Sequence, residues 1–119
     1  MKKYISLSII IAFIHIVYCE STSSKISEEY LYRGYTHQKL NHPDSARYFY
    51  QRIIDADENI YTTADAYLHL SEIEEACGNY KEALRLLHIN QNWQDSIHKT
   101  TQAEMMQQIN ALHVKHNTE

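Results

Sequence analysis

Glycine and proline are nearly absent, with two of the first and one of the second in 119 residues. So few turn formers cannot supply the frequent tight turns of a β-sandwich or barrel, which leaves helices joined by short connections. Cysteine is as scarce: Cys19 and Cys77 are the only two, too few for the disulfide framework of a small secreted fold. Positive charge is in deficit, 11 Lys and Arg against 15 Asp and Glu for a net charge of −4. An acidic chain without a basic stripe is not expected to bind nucleic acid. The sequence also holds no P-loop, no glycine-rich dinucleotide turn, no nucleophile elbow and no zinc signature. At this length it is one small domain, or a domain plus a targeting segment. The expectation is therefore an all-α binding module that is not an enzyme and carries no cofactor.

What the chain does contain begins at its front. Lys2 and Lys3 precede a run from Tyr4 to Tyr18 that is apolar except for Ser6, Ser8 and His15. A positive stretch followed by a short apolar one is the layout of a secretory signal. The run falls short of the roughly 20 residues that a spanning helix needs. It ends at Cys19, and the polar segment from Glu20 to Ser24 follows. This order resembles a bacterial lipoprotein signal, which implies acylation of Cys19 and a protein held at the membrane on the periplasmic or outer side. Tyr18 departs from that pattern, since a small residue normally precedes the cysteine. An ordinary cleaved signal and an uncleaved anchor remain as alternatives. Residues 1–19 are assigned to the signal and 20–26 to a polar tether. Cys77, without an intrachain partner in either case, is expected to pack as a small hydrophobe.

Beyond Ser24 the apolar residues recur at three- and four-residue steps, the period of an amphipathic helix. Tyr30, Gly34 and His37 mark a first helix, and Ala46, Tyr50, Ile53 and Ile54 a second. Between them Pro43 disfavours helix at His42, with Asp44 or Ser45 as candidate caps. A second pair follows: Tyr67, Leu70, Ser71 and Ile73, a turn at Gly78-Asn79, then Tyr80, Ala83, Leu84 and Leu87. The two pairs are copies of each other. Gly34 precedes Ala46 by the same interval as Ser71 precedes Ala83, and Ser71 lies 37 residues after Gly34. Small residues at a crossing let antiparallel helices approach closely, and each hairpin buries its apolar face on the next.

The segment Tyr67-x2-Leu70-Ser71-x6-Gly78-x-Tyr80-x2-Ala83-x3-Leu87 resembles a tetratricopeptide repeat, a helix–turn–helix unit of 34 residues. The three additional residues of this chain fall in the linker from Asp55 to Asn59. The resemblance implies a short solenoid of stacked antiparallel hairpins over residues 27–94. Ser71 and Ala83, like Gly34 and Ala46, would be the crossing contacts, Gly78 the turn, and Tyr80 and Leu87 the packing between helices. Residues 95–119 lack the small-residue pattern but place Ile97, Met105, Ile109 and Leu112 at helical steps. They are expected to form a separate C-terminal helix, started by Asp95 or Ser96, that caps the stack. Two repeats is fewer than such stacks usually need, which leaves room for self-association.

A narrower likeness rests on Pro43-Asp-Ser-Ala46-Arg-Tyr-Phe-Tyr50, Gly78-Asn-Tyr80-Lys-Glu-Ala83 and Gln94-Asp-Ser-Ile97. These phrases look similar to the periplasmic repeat regions of membrane sensor–regulators in Bacteroides-like bacteria, where the last repeat runs into a long helix. Neither the transmembrane segment nor the output domain of those proteins is recognisable in these 119 residues. The expected function is a non-catalytic protein-interaction module; the alternative is a truncated sensor region of a membrane-bound transcriptional regulator or histidine kinase.

The repeat resemblance implies a concave face built from the first helix of each hairpin. The first copy would contribute Glu28, Leu31, Tyr32, Tyr35 and Gln38, and the second Asp65, Leu68, His69, Glu72 and Glu75. Exposed aromatics mixed with acids suit a protein or peptide partner bearing apolar and basic side chains. Other clusters read as structure. Glu72, Glu74 and Glu75 are expected to form a solvated helix face. His113 and His116 share a helix face, but no cysteine or carboxylate stands at ligand spacing beside them, so no metal site is expected.

Overall fold

The computed structural model describes the backbone of residues 2–118 and the side chains of residues 6–18 and 25–118. The chain is all-α, with four helices and no strand among the described residues: α1 (Lys2–Lys39), α2 (Pro43–Ala56), α3 (Ile60–Ala76) and α4 (Tyr80–Thr118). The side chain of Cys19, on which acylation depends, lies outside the described ones. The segment expected as a tether, residues 20–26, continues the backbone of α1.

Two turns of the same construction make two hairpins. At the end of α1, Asn41 adopts the left-handed conformation at φ 59°. Its N–H donates to the Gln38 carbonyl at 3.1 Å, and the N–H of His42 donates to that of His37 at 2.9 Å. At the end of α3, Gly78 is left-handed at φ 81°. Its N–H donates to the Glu75 carbonyl at 3.0 Å and the N–H of Asn79 to that of Glu74 at 2.8 Å. Both are Schellman closures, which satisfy the last carbonyls of a helix and reverse the chain. Asn41 and Gly78 are 37 residues apart, the spacing that separates Gly34 from Ser71 and Ala46 from Ala83. Helix α2 then starts at Pro43 with no side-chain cap, so neither Asp44 nor Ser45 caps it. Proline at the first helical position makes a cap less necessary, because it has no orphan N–H there. The connection between the hairpins is capped instead by Asn59, whose Oδ1 accepts from the N–H groups of Tyr61 at 2.9 Å and Thr62 at 3.2 Å.

The core lies where the hairpins meet. Ala46, Tyr50 and Ile53 of α2, Ala66, Leu70 and Ile73 of α3 and Leu86 of α4 form one buried cluster, with Tyr30, Leu31, Ile54 and Tyr67 packed against it. Helix α3 is the centre, touching α1, α2 and α4, while among the described residues α4 does not reach α1 or α2 at backbone distance. Small residues stand at the close approaches, as the sequence pattern predicts: Gly34, Ala46, Ser71 and Ala83 are all buried. The Gly34 approach is the tightest. A Cβ there would sit 2.6 Å from Cε1 and 2.9 Å from Cδ1 of Tyr50.

Three expectations need correction. Helix α4 is a single element of 39 residues, so no separate helix starts at Asp95 or Ser96; with no Gly or Pro after Gly78, nothing breaks it. Its last part does not cap the bundle either, since residues 98–118 are exposed throughout. Finally, Tyr80 and Leu87 do not pack between helices: they are 70% and 44% exposed. Leu87 stands 37 residues after Tyr50, which is wholly buried because α3 of the following hairpin covers it. Among the described residues no later helix lies over Leu87.

The polar pins show how the long helices run. Ser27 and Tyr30 of α1 lie beside Asp55 and Ala56 of α2, and the Asn90 amide of α4 donates to the Ala64 carbonyl of α3 at 2.7 Å. The first part of α1 and the last part of α4 therefore project from the same end of the bundle. The projecting part of α1 carries exposed Ile10, Phe13 and Val17. Among the described residues no helix is long and apolar enough to cross a membrane.

The contact beneath Gly34 gives the first test. Gly34→Ala gains about 1 kcal/mol of helix propensity but drives a methyl into a fully buried ring, at a cost of about 1–3 kcal/mol. A fall in the urea midpoint is expected; a rise would mean that the Tyr50 ring moves freely.

Candidate functional site

Helices α1 and α3 run side by side and present one continuous face. On it Gln38 of α1 and His69 and Glu72 of α3 are joined through hydrogen bonds. The Gln38 amide donates to Glu72 Oε2 at 2.9 Å, and His69 Nδ1 donates to the same oxygen at 3.0 Å. Gln38 Oε1 in turn accepts from the Tyr50 hydroxyl at 2.8 Å. The rings follow the same geometry. His69 stacks on Tyr50 with centroids 5.3 Å apart, and Tyr35 meets His69 edge-on at 5.9 Å. Lys39 Nζ lies 5.0 Å from the centroid of the Tyr35 ring, within cation–π range.

The electrostatics follow from this packing. Partial burial pulls the Glu72 carboxyl upward, but the hydrogen bonds from His69 and Gln38, with the Lys39 charge nearby, hold it below the ordinary carboxylate range. Glu72 is thus ionised at neutral pH. Both of its hydrogen bonds fall on Oε2, so among the described residues Oε1 is left to meet a cation from outside. Burial drives the Tyr50 phenol well above its ordinary value, and the neighbouring Glu72 and Tyr35 push it the same way. It remains a neutral donor that fixes the Gln38 amide.

Of the ten residues expected on the concave face, Tyr35, Gln38, His69 and Glu72 are brought together. Leu31 turns inward and packs on the core. Tyr32 is exposed and stands apart from the network. Glu75 is exposed and borders a separate hollow of about 310 Å³ with Ser71, Tyr80, Ala83, Leu84 and Leu87. Tyr50 was missing from the candidates, although the clue was present. A tyrosine on an apolar stripe with Ala46 and Ile53 buries its ring and must find a partner for its hydroxyl.

The acids of α3 are less uniform than a solvated face. Glu74 is only 9% exposed and turns toward α2, because it follows Ile73 onto the core side. It accepts from Arg47 Nε at 2.6 Å on Oε1 and from the Asn79 amide at 2.7 Å on Oε2. Arg47 also donates to Asp44 at 2.9 Å and to Cys77 Sγ at 3.3 Å. Cys77 is therefore exposed and hydrogen-bonded, not packed as a hydrophobe. Among the described residues no group of three His, Cys, Asp or Glu is placed to hold a metal ion. His113 and His116 are exposed on the projecting part of α4.

What these features define at the level of class is an all-α protein with an acidic, aromatic face between two parallel helices. Compared with known proteins, the chain matches no protein-family model, no curated protein and no solved structure.

The Arg47–Glu74 contact makes stability pH-dependent. The hydrogen bonds from Arg47 and Asn79 outweigh burial and lower the Glu74 pKa below its ordinary 4.5. A carboxyl with a depressed folded-state pKa stabilises fully above its unfolded value and loses that effect as pH falls through the folded one. Glu74→Gln should cost about 1–3 kcal/mol at neutral pH and flatten the loss of melting temperature below pH 4.5. Parallel acid profiles for the two proteins would show that the ion pair contributes no such term.

Proposed function

We propose that this chain is a tetratricopeptide-like, non-catalytic protein-interaction module that is exported and held at a membrane surface. The observation that carries the reading is the joining of Tyr35, Gln38, His69 and Glu72 across two successive hairpins. Stacking alone requires the hairpins to bury apolar residues. It does not require an ionised carboxylate, with one oxygen uncommitted, beside a partly exposed tyrosine ring on the outer surface. Such a surface offers a charge and a flat apolar platform to a lysine or arginine on a peptide or helix. The turns, crossings and burial that repeat at 37 residues support the likeness to a repeat stack.

Export and anchoring rest on Lys2, Lys3, the apolar run to Tyr18 and Cys19. Residues 6–18 of α1 are exposed and largely apolar, which supports a role at the membrane.

Two measurements test these readings. Tyr35→Ala and Glu72→Lys should each lower capture of a membrane-extract partner by the intact chain about tenfold or more, with folding retained by circular dichroism, as for truncation of a buried anchor or reversal of a contact charge. Capture equal to that of the unaltered chain would count against this face. Separately, Cys19→Ala should move the protein from the membrane fraction to the soluble one. Full retention in the membrane fraction would remove the lipoprotein assignment.

A further inference from the structure

The outer side of α4 is open along the whole helix. Tyr80, Leu84 and Leu87 near its start and Met105, Ile109 and Leu112 near its end are all exposed. Between these two groups stand Gln91, Gln94, His98 and Thr101, also exposed. From Tyr80 to Met105 the steps alternate between four and three residues, the spacing that keeps side chains on one seam of a helix. Helix α3 packs on a different side of α4, marked by buried Ala83, Leu86 and Asn90, so the seam is not used within the chain.

Three properties of the seam say what covers it. It carries no Asp, Glu, Lys or Arg, although Lys81, Glu82, Arg85, Asp95, Lys99 and Glu104 stand elsewhere on the same helix. The one charge in the hollow at its start is Glu75 of α3, so a strongly charged partner finds no run of charges to pair with along α4. The seam is apolar at both ends and polar but uncharged in the middle, so it reads alike in both directions. Lastly, residues 98–118 are exposed throughout, and most helical stability in water comes from a packed face.

We propose that a second copy of this chain covers the seam, the two α4 helices lying antiparallel and crossing near His98. In that register Leu84 and Leu87 of one copy face Leu112 and Ile109 of the other, and the polar middle meets itself about the two-fold axis. Antiparallel helices oppose their dipoles favourably. The arrangement also keeps the two folded bodies at opposite ends of the pair. A helix of this size is about 58 Å long, so pairing over the full length engages both apolar ends at once. This interface is separate from the α1–α3 face, so it stands or falls independently of partner capture there.

The full chain in detergent micelles, with Cys19 and Cys77 replaced by serine, provides the test. Light scattering corrected for detergent should give twice the chain mass of 14.1 kDa. Leu84→Lys and Met105→Lys, both at exposed positions, should each weaken the dimer at least about tenfold while leaving the circular dichroism melt of the monomer in place; Leu84→Gln and Met105→Gln serve if lysine disturbs folding. A chain with Leu84→Cys mixed with one carrying Leu112→Cys should yield a disulfide-linked heterodimer on air oxidation. A monomer up to roughly 100 μM would overturn the proposal. So would a dimer indifferent to all four seam variants, which would place association on the apolar part of α1. Disulfide homodimers of the Leu84→Cys chain in place of the heterodimer would overturn it as well, because they require parallel helices or a crossing at Leu84 instead of His98.

Discussion

The fold depends on where the Tyr50 ring is held. It lies against the bare backbone of Gly34 on one side, stacks on His69 on the other and is wholly buried. Its hydroxyl, lifted out of the titratable range by that burial, ends on Gln38. One side chain of α2 thereby sets the distance from α1 to α2 and the position of α3 over both. An aromatic ring of this size contributes more packing than any aliphatic residue in so small a core, and it fits only because Gly34 has no side chain. The same contact aligns Gln38 with Glu72, so the geometry of the outer face follows from the geometry of the core.

The second hairpin shows what happens without such a cover. Its turn, its crossing residues and its spacing repeat those of the first, yet the position equivalent to Tyr50 is Leu87, and it remains exposed. The difference is one of neighbours, not of local conformation. A stack of hairpins has an open apolar end wherever it stops, because each unit is completed by the next. In this chain the open end continues along the outer side of α4, whose unbroken length places Met105, Ile109 and Leu112 in line with Leu84 and Leu87. Exposed apolar surface of that extent is what the proposed pairing of two α4 helices would cover.

Polar groups specify the arrangement that the apolar core only permits. Arg47, Glu74 and Asn79 tie the start of α2 to the end of α3 and the turn beyond it, and Asn90 ties α4 to the first turn of α3. Each satisfies a group that burial would otherwise leave without a partner, and each would be lost by a shift of one helical turn. They act as register marks for helices whose small, tyrosine-rich core offers few deep interlocking contacts.

How much of this was legible beforehand differs by level. Helical period, the near absence of turn formers and the 37-residue recurrence of Gly34, Ala46, Ser71 and Ala83 already define two all-α hairpins, since these are local or repeated properties of the chain. The composition likewise excludes sheet-rich folds and a disulfide scaffold, and four of the ten residues expected on the concave face proved to share one network. What the tertiary structure alone decided concerns which side of each helix faces a neighbour. Glu74 is buried and Glu72 is not, Tyr50 belongs to the site, Tyr80 and Leu87 lie in the open, and α4 runs on where a new helix was expected. Periodicity assigns residues to a helix face, but burial depends on whether another element arrives to cover it, and that is a property of the assembled chain.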